Sequence, residues 1–238
     1  MRNSIVFNNK NSMDFGLYIS GGGTYGAPAR KYETVAVPGR NGLLYIDEQA
    51  YDNVEVTYKG SFIYENFDRN MLGLRSWLLS STGYGRLEDT YHPDEYRMAV
   101  FKGPISPDVW YDLSEGQFDL TFDCKPQRFL KSGEPDYPIN QNCVIFNPTS
   151  FEALPLIKTW GTGTFSINGI KCTISADYRP TYIDSELQTA YGGSAVKVNC
   201  NNYLTLADKV FPSLKAGANE IDLGDLTRMT ITPRWWQL

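Results

Sequence analysis

The sequence predicts a mainly β protein of two domains with a single α-helix, and three observations support this prediction. Apolar and polar residues alternate along several segments, most clearly along residues 54–59 and 118–124. A period of two is typical of strands that have one face in water. One segment instead has helical spacing, and a proline-rich stretch separates the alternating segments into two groups.

The helix is expected at about residues 67–80. Its apolar residues are spaced by four, three and four positions, which gives a helix one apolar stripe: Phe67, Met71, Leu74 and Leu78. Asn66 is a suitable N-cap residue, and residues 80–83 are of the types that end helices.

A β-hairpin is expected after the helix, with strands at 86–91 and 96–102. The residues between the strands, His92-Pro93-Asp94-Glu95, are typical of a turn. We therefore expect His92, the only histidine of the sequence, at a solvated turn tip without a chemical role. Together with the helix, these segments predict an N-terminal β-sandwich-like domain at residues 1–130.

The second domain is expected at residues 143–238, after a proline-rich linker at 131–142. Three prolines fall within 13 residues at Pro126, Pro135 and Pro138, and proline lacks the N–H group that a central strand requires. Beyond them, short alternating segments are separated by glycine, proline and asparagine. Asn168-Gly169 between two such segments predicts a tight hairpin turn. Several short strands with such turns predict a β-sandwich.

The composition argues against most catalytic and nucleic-acid-binding functions. With 22 basic and 27 acidic residues, the 238-residue chain has a net charge of −5, whereas nucleic-acid binding depends largely on Lys and Arg. The four cysteines are far apart in sequence and form no C-x-x-C pair. We expect no metal, no cofactor and no nucleophilic triad. A pair of carboxylates for glycoside hydrolysis stays open, with Asp89, Asp94 and Glu95 as the densest acidic cluster.

Carbohydrate binding is the main alternative function. Exposed aromatic rings on a β-sandwich can stack on pyranose rings, although aromatic residues more often pack in the core or cover apolar surface. The second half of the sequence offers six candidate rings: Trp160, Tyr178, Tyr182, Tyr191, Trp235 and Trp236.

Targeting signals are not expected in this sequence. The longest purely apolar runs, at residues 98–101 and 143–146, are far shorter than the roughly 20 residues of a membrane span. The apolar residues 5–7 near the N-terminus are too few for a signal peptide. We therefore expect a protein that is made and folded in a cytoplasm, is not secreted or inserted in a membrane, and has no disulfides.

Several stretches, taken in their order and spacing, carry a family resemblance. In the first half they are residues 7–12, 14–17, 37–42, 72–79, 86–91, 96–97 and 124–127; in the second half they are residues 147–148, 153–157, 183–188 and 231–235. This set resembles the distal tail protein (Dit) family of long non-contractile-tailed phages that infect Gram-positive bacteria.

The resemblance implies a structural virion protein at the distal end of the phage tail, with a galectin-like C-terminal β-sandwich. It implies a homo-hexameric ring with a central channel for DNA passage. The ring would join the major tail tube protein to a tail-tip protein or tail-associated lysin, contact receptor-binding proteins, and lie next to the tape-measure protein. Galectins bind sugar through a set of residues that includes a histidine, and this sequence has none in its second half.

Two segments are expected to contact neighbouring subunits in such a ring. They are residues 20–29, a glycine-rich stretch, and the hairpin at 86–102, because long turns in a sheet domain are available for exchange between copies. The candidate inter-subunit or partner contacts are Tyr25, Arg40, Tyr91, His92, Asp94, Tyr96 and Trp236.

Overall fold

The computed structural model of the protein describes residues 2–21, 25–62, 67–106, 108–109, 116–193 and 196–238. The chain divides into two compact units between Arg128 and Phe129. Strands dominate both units, and the described residues contain one α-helix, so the predicted fold class is confirmed. The expected N-cap Asn66 and part of the expected contact segment, residues 22–24, lie outside the described residues.

The first unit contains ten strands among the described residues, a short 3-10 helix and the α-helix α1 (Phe67–Leu79). The strands are β1 (Ile5–Phe7), β2 (Lys10–Asn11), β3 (Leu17–Ser20), β4 (Arg30–Ala36), β5 (Leu43–Tyr51), β6 (Val54–Phe62), β7 (Gly85–Asp89), β8 (Glu95–Phe101), β9 (Asp108–Val109) and β10 (Gly116–Leu130). The 3-10 helix (Ser12–Phe15) lies between β2 and β3.

One curled sheet, rather than two separate sheets, forms most of the first unit. Its strand order is β2-β1-β7-β8-β10-β6-β3, with β9 also pairing to β10. In a flat sheet β1 and β10 would be about 14 Å apart, yet the ring centroids of Phe7 and Phe122 are 5.3 Å apart. At the other side, the backbone N–H of Ile19 on β3 donates to Asn3 O at 3.0 Å, which bridges the two ends of the sheet. The inner face therefore encloses one core.

The α-helix covers this core with the stripe that the sequence predicts. Met71, Leu74 and Leu78 are all buried, whereas Leu72 on the opposite face is 71% exposed. Trp77 was not part of the predicted stripe, but it is also buried. Its indole stacks on Phe15 at a centroid distance of 4.9 Å, and its Nε1–H donates to a backbone oxygen of β1 at 2.8 Å.

A glycine in the middle of the helix permits this contact. A Cβ at Gly73 would lie 3.0 Å from the ring of Phe15. Glycine costs a helix interior about 1 kcal/mol relative to alanine, so its presence here is explained by the close approach of the ring.

The predicted hairpin is present as β7 and β8, with Leu87 opposite Arg97. A second antiparallel pair, β4 and β5, forms a two-stranded sheet that is separate from the main sheet. The sequence patterns described above do not predict this second pair.

The second unit contains the remaining strands. They are β11 (Tyr137–Ile139), β12 (Cys143–Asn147), β13 (Leu156–Trp160), β14 (Gly163–Ile167), β15 (Ile170–Ile174), β16 (Thr181–Asp184), β17 (Thr189–Gly192), β18 (Val198–Asn199), β19 (Leu204–Leu206), β20 (Gly217–Asp222), β21 (Arg228–Thr232) and β22 (Trp236–Gln237). Two further 3-10 helices cover Lys131–Gly133 and Asn201–Tyr203.

Two antiparallel sheets face each other in this unit and form a β-sandwich. Their strand orders are β11-β21-β13-β16-β17-β18 and β12-β20-β14-β15-β19. Both sheets contribute to one core, for example through Ile157 and Ile231 from the first and Phe165 from the second. The turn predicted at Asn168-Gly169 joins β14 to β15, and both residues have positive φ, as that turn type requires.

The segment expected to be a linker belongs to the sandwich, which corrects the sequence-based boundary. Strand β10 continues through Pro126 to Leu130, beyond Cys124, where its pairing with β6 ends. Pro138 lies in β11, which pairs on one side with β21. An edge strand tolerates proline because only one side of it pairs. Pro138 therefore occupies an edge-strand position, and Pro135 lies in the bend before this strand.

A buried ion pair fixes the C-terminal segment to the sandwich. Arg234 donates from both guanidinium nitrogens to the carboxylate of Asp184, at 2.8 and 3.0 Å. The side chain of Asp184 is 4% exposed. Burial by itself raises the pKa of Asp184, but hydrogen bonds from Arg234 and from the backbone N–H groups of Leu187 and Glu186 outweigh it and hold this pKa below the ordinary value.

Replacing Leu74 with alanine should destabilise the first unit, because it leaves a cavity in a core that excludes water. We expect a loss of about 2–5 kcal/mol in the free energy of unfolding, measured by urea denaturation. Leu72→Ala on the exposed face of the same helix is the matched control and should change it by less than about 0.5 kcal/mol. Equal effects of the two substitutions would contradict the assignment of the buried face.

Replacing Arg234 with alanine should cost about 3 kcal/mol, because it leaves the buried Asp184 carboxylate without its partner. Arg179→Ala removes an ion pair whose arginine side chain is 79% exposed and should cost less than about 1 kcal/mol.

The ion pair of Arg234 with Asp184 should make stability depend on pH. Because the pKa of Asp184 is lower in the folded protein than in the unfolded chain, the ionised carboxylate stabilises the fold above the unfolded pKa of about 3.9. This contribution to the free energy of unfolding is lost as the pH falls through the folded pKa. Urea denaturation between about pH 7 and pH 2 should show a smaller acid-induced loss in Arg234→Ala than in the wild type; the same loss in both would contradict this role.

Candidate assembly surfaces

The loop of the β7–β8 hairpin is folded back onto the main sheet by one carboxylate. Asp89 accepts hydrogen bonds from the hydroxyl of Tyr58 at 2.7 Å and from the backbone N–H groups of Tyr91 and His92 at 2.9 and 2.8 Å. Burial and the neighbouring Asp89 raise the pKa of Tyr58 well above its ordinary value, so its hydroxyl stays protonated and donates. The loop is therefore an ordered part of the sheet surface.

His92 is half-buried in this loop, which corrects its expected position at a solvated tip. Its Nε2 atom is buried and has no hydrogen-bond partner among the described residues. Together with Asp89, Glu95 and Arg97 it lines a small cavity of about 10 Å³. The hydrogen bonds to Asp89 pull the loop inward, whereas the residue types alone indicated a solvated turn.

The structure brings some of the seven expected contact residues together. Tyr25 is 75% exposed, and its ring meets the imidazole of His92 edge to face at a centroid distance of 5.2 Å. Asp94 is exposed, whereas Tyr91 and Tyr96 are half-buried. Of the expected contact residues in and around this loop, Tyr25 and Asp94 are therefore the exposed ones.

The other two expected contact residues lie elsewhere. Arg40 is exposed in the turn between β4 and β5, where its backbone N–H donates to Val37 O at 3.2 Å. Trp236 is half-buried in the second unit, stacks on Phe151 at 4.5 Å, and donates from Nε1 to Glu152 O at 2.9 Å. Its ring is already packed within its own unit.

Strands β4 and β5, which we call the ribbon, form an exposed surface that is rich in apolar side chains. Both of its faces carry exposed apolar side chains: Tyr32, Val35, Leu43, Leu44, Tyr45 and Ile46 are between 38% and 62% exposed. Register places Leu44 opposite Val35, and Tyr45 opposite Thr34 on the other face. A two-stranded ribbon is marginal in water on its own. The run Leu43-Leu44-Tyr45-Ile46 was the sequence feature that could have identified it.

The aromatic residues considered for carbohydrate binding pack against other side chains. Tyr182 and Tyr191 stack on each other at 4.9 Å, and the ammonium of Lys197 lies 4.6 Å from the centroid of the Tyr191 ring. The guanidinium of Arg228 lies 4.4 Å from the centroid of the Trp160 ring. Each of these three rings therefore already has at least one face in contact with a neighbouring side chain.

The remaining rings of that set are similarly engaged. Trp235 is 2% exposed, and the ring of Tyr178 contacts Tyr203 at 5.9 Å. These two rings therefore also pack against residues of the second unit.

The thiols are poor nucleophiles and poor metal ligands. All four cysteines are free, and burial raises the pKa of Cys124 and of Cys172 to about 12, so both stay protonated at neutral pH. Within the described part of the chain, no group of three or more histidine, cysteine or acidic side chains is arranged to hold a metal ion. No helix in that same part is long and apolar enough to cross a membrane.

Replacing Asp89 with alanine should release the hairpin loop, because it removes the acceptor of three hydrogen bonds. Amide hydrogen exchange at Tyr91 and His92 should become at least about tenfold faster, since a hydrogen bond to a charged group contributes about 1.5–3 kcal/mol. Asp94→Ala, at an exposed acid of the same loop, is the control and should leave both rates unchanged. Equal exchange rates in the two variants would show that Asp89 does not hold the loop.

Comparison with known proteins shows similarity of fold without similarity of sequence. No protein-family model and no curated protein matches the sequence. The crystal structure of SPP1 Dit (gp 19.1), described as a paradigm of the hub adsorption apparatus in Gram-positive infecting phages, matches with a TM-score of 0.73 at 9% identity, over 100% of both chains. The phage P2 baseplate in its activated conformation matches with a TM-score of 0.55 in the calcium form (10% identity, 97% of this chain and 98% of that chain) and 0.54 in the strontium form (10% identity, 97% of each). The fold is therefore that of a Dit protein along the whole chain.

Proposed function

We propose that this protein is the hub subunit at the distal end of a phage tail. Six copies form a ring with a central channel for DNA. The ring joins the tail tube to the tail-tip protein or tail-associated lysin, borders the tape-measure protein and carries receptor-binding proteins. The observation that carries the proposal is the likeness to SPP1 Dit, which extends over the full length of both chains and includes both units.

The ribbon supports the self-association that a ring requires. A single copy leaves both faces of the ribbon in water, with Tyr45 62% and Leu43 49% exposed. Contiguous apolar surface of this kind marks interaction sites. A cyclic ring is closed by heterologous contacts, in which one patch of each copy meets a different patch of the next. The ribbon provides one such patch.

The charge of the chain supports a channel that lets DNA pass. At a net charge of −5 per copy, a ring of six would repel the phosphate backbone rather than bind it. The proposed role is structural and requires no catalytic group. The contacts that Trp160, Tyr182 and Tyr191 already make within the sandwich do not favour the alternative of a carbohydrate-binding module.

Mass measurement in solution tests the ring. Six copies of 26.9 kDa give about 161 kDa, and we expect this mass by light scattering coupled to size-exclusion chromatography. Leu44→Lys combined with Ile46→Lys places two charges on one face of the ribbon and should give the single-copy mass. Leu187→Lys combined with Val210→Lys, at positions that are 67% and 56% exposed in the second unit, is the matched control and should keep the ring. A single-copy mass for the wild type at every concentration would contradict a ring that closes by itself.

Labelling of intact virions tests the location independently of ring closure. An antibody against this chain should decorate the distal end of the tail in electron micrographs. Decoration of the capsid, of the tail shaft or of no part of the particle would overturn the hub assignment.

A further inference from the structure

The five-stranded sheet of the second unit has an unprotected edge at β12. This strand pairs with β20 on one side, and no described strand pairs with its other side. Its sequence, Cys143-Val144-Ile145-Phe146-Asn147, contains no lysine and no proline. Natural proteins usually protect an edge strand with charged residues, proline or shortness, because an open edge can pair with another chain.

The other edge strands of the sandwich have such protection. Strand β11 carries Pro138 at its centre, and β18 is two residues long and preceded by Lys197. Strand β19 is three residues long. Among the edges that the structure describes in this unit, β12 is the longest, with five residues, and is free of these features.

The outer face next to this edge combines apolar side chains with a groove. Val144 is 61% and Phe146 69% exposed. Beside them lies a shallow groove of about 450 Å³, lined by Asn142, Val144, Ser166, Gly169, Glu220 and Asp222.

The groove carries two carboxylates without an ion pair in the described structure. Glu220 lies opposite Val144, and Asp222 lies opposite Ser166. Lys171 also lies opposite Ser166, on the far side from Asp222. The charge next to the β12 edge is therefore negative and complements a basic partner.

We propose that the free edge of β12 binds an extended, basic segment of a partner protein as an added β-strand. The backbone of the segment would pair with the open side of β12. Its Lys or Arg side chains would lie on the outer face, with their aliphatic stems on Val144 and Phe146 and their charges directed to Glu220 and Asp222. Adjacent strands are about 4.8 Å apart, so a long cationic side chain on the added strand reaches across β12 towards β20. This site does not depend on the proposed ring.

The test uses the full chain and an alternating lysine–valine heptapeptide, acetyl-Thr-Lys-Val-Lys-Val-Lys-Thr-amide. We expect binding by calorimetry, with NMR shifts of the backbone amides of residues 143–147. The same peptide with N-methylated backbone nitrogens on its pairing side should not bind. A peptide with glutamate in place of lysine should bind at least about tenfold more weakly.

Substitutions in the chain separate pairing from charge. Phe146→Lys should weaken binding of the basic peptide by at least about tenfold, and Leu187→Lys, at an equally exposed apolar position, should not. Glu220→Gln combined with Asp222→Asn should also weaken it about tenfold, whereas Asp208→Asn, at an exposed acid outside the groove, should not.

Three results would overturn the proposal. One is the absence of binding at about 1 mM peptide, and the second is equal binding of the basic, acidic and N-methylated peptides. The third is concentration-dependent pairing of two copies that Phe146→Lys abolishes, since it would assign the edge to a second copy of this chain.

Discussion

Packing around Phe122 is the interaction on which the first unit depends. Its buried ring lies 5.3 Å from Phe7, 5.2 Å from Phe101 and 6.1 Å from Tyr58. Phe101 and Tyr58 lie on β8 and β6, the two strands that flank β10, whereas Phe7 lies on β1, three strands away from β10 in this strand order. The contact between Phe7 and Phe122 therefore requires the sheet to curl. The curl in turn creates the concave face that the helix covers, and it places Tyr58 where Asp89 can hold the hairpin loop.

Two surfaces of the described structure combine several exposed apolar side chains on paired or edge strands, whereas many aromatic and charged groups are engaged within their own unit. The aromatic rings of the sandwich are stacked on each other or covered by cations, and the buried Asp184 is paired with Arg234. The ribbon and the β12 edge instead leave apolar side chains in water. Apolar side chains that stay in water do not add to the hydrophobic stabilisation of the unit that carries them, and contiguous apolar surface of this kind marks interaction sites.

Local patterns predicted much of the fold. The helix stripe through Met71, Leu74 and Leu78 was correct because helical periodicity depends on neighbouring residues alone, and the Asn168-Gly169 turn was correct because its backbone requires positive φ. Trp77 was missed because its burial depends on Phe15, far away in sequence. The position of His92 was wrong because residue types favour a solvated turn, whereas Asp89 draws the loop inward.

The sequence by itself determined the mainly β class, the single helix and its buried face, since these follow from side-chain periodicity. It also indicated that few side chains are suited to nucleophilic catalysis or metal binding, because the sequence has one histidine and four widely spaced cysteines. Only the tertiary structure decided the curl of the first sheet, the place of the proline-rich segment in the sandwich, and which strands remain exposed. Those features depend on contacts between residues distant in sequence, such as Asp184 with Arg234 and Ile19 with Asn3. No local pattern encodes such pairs.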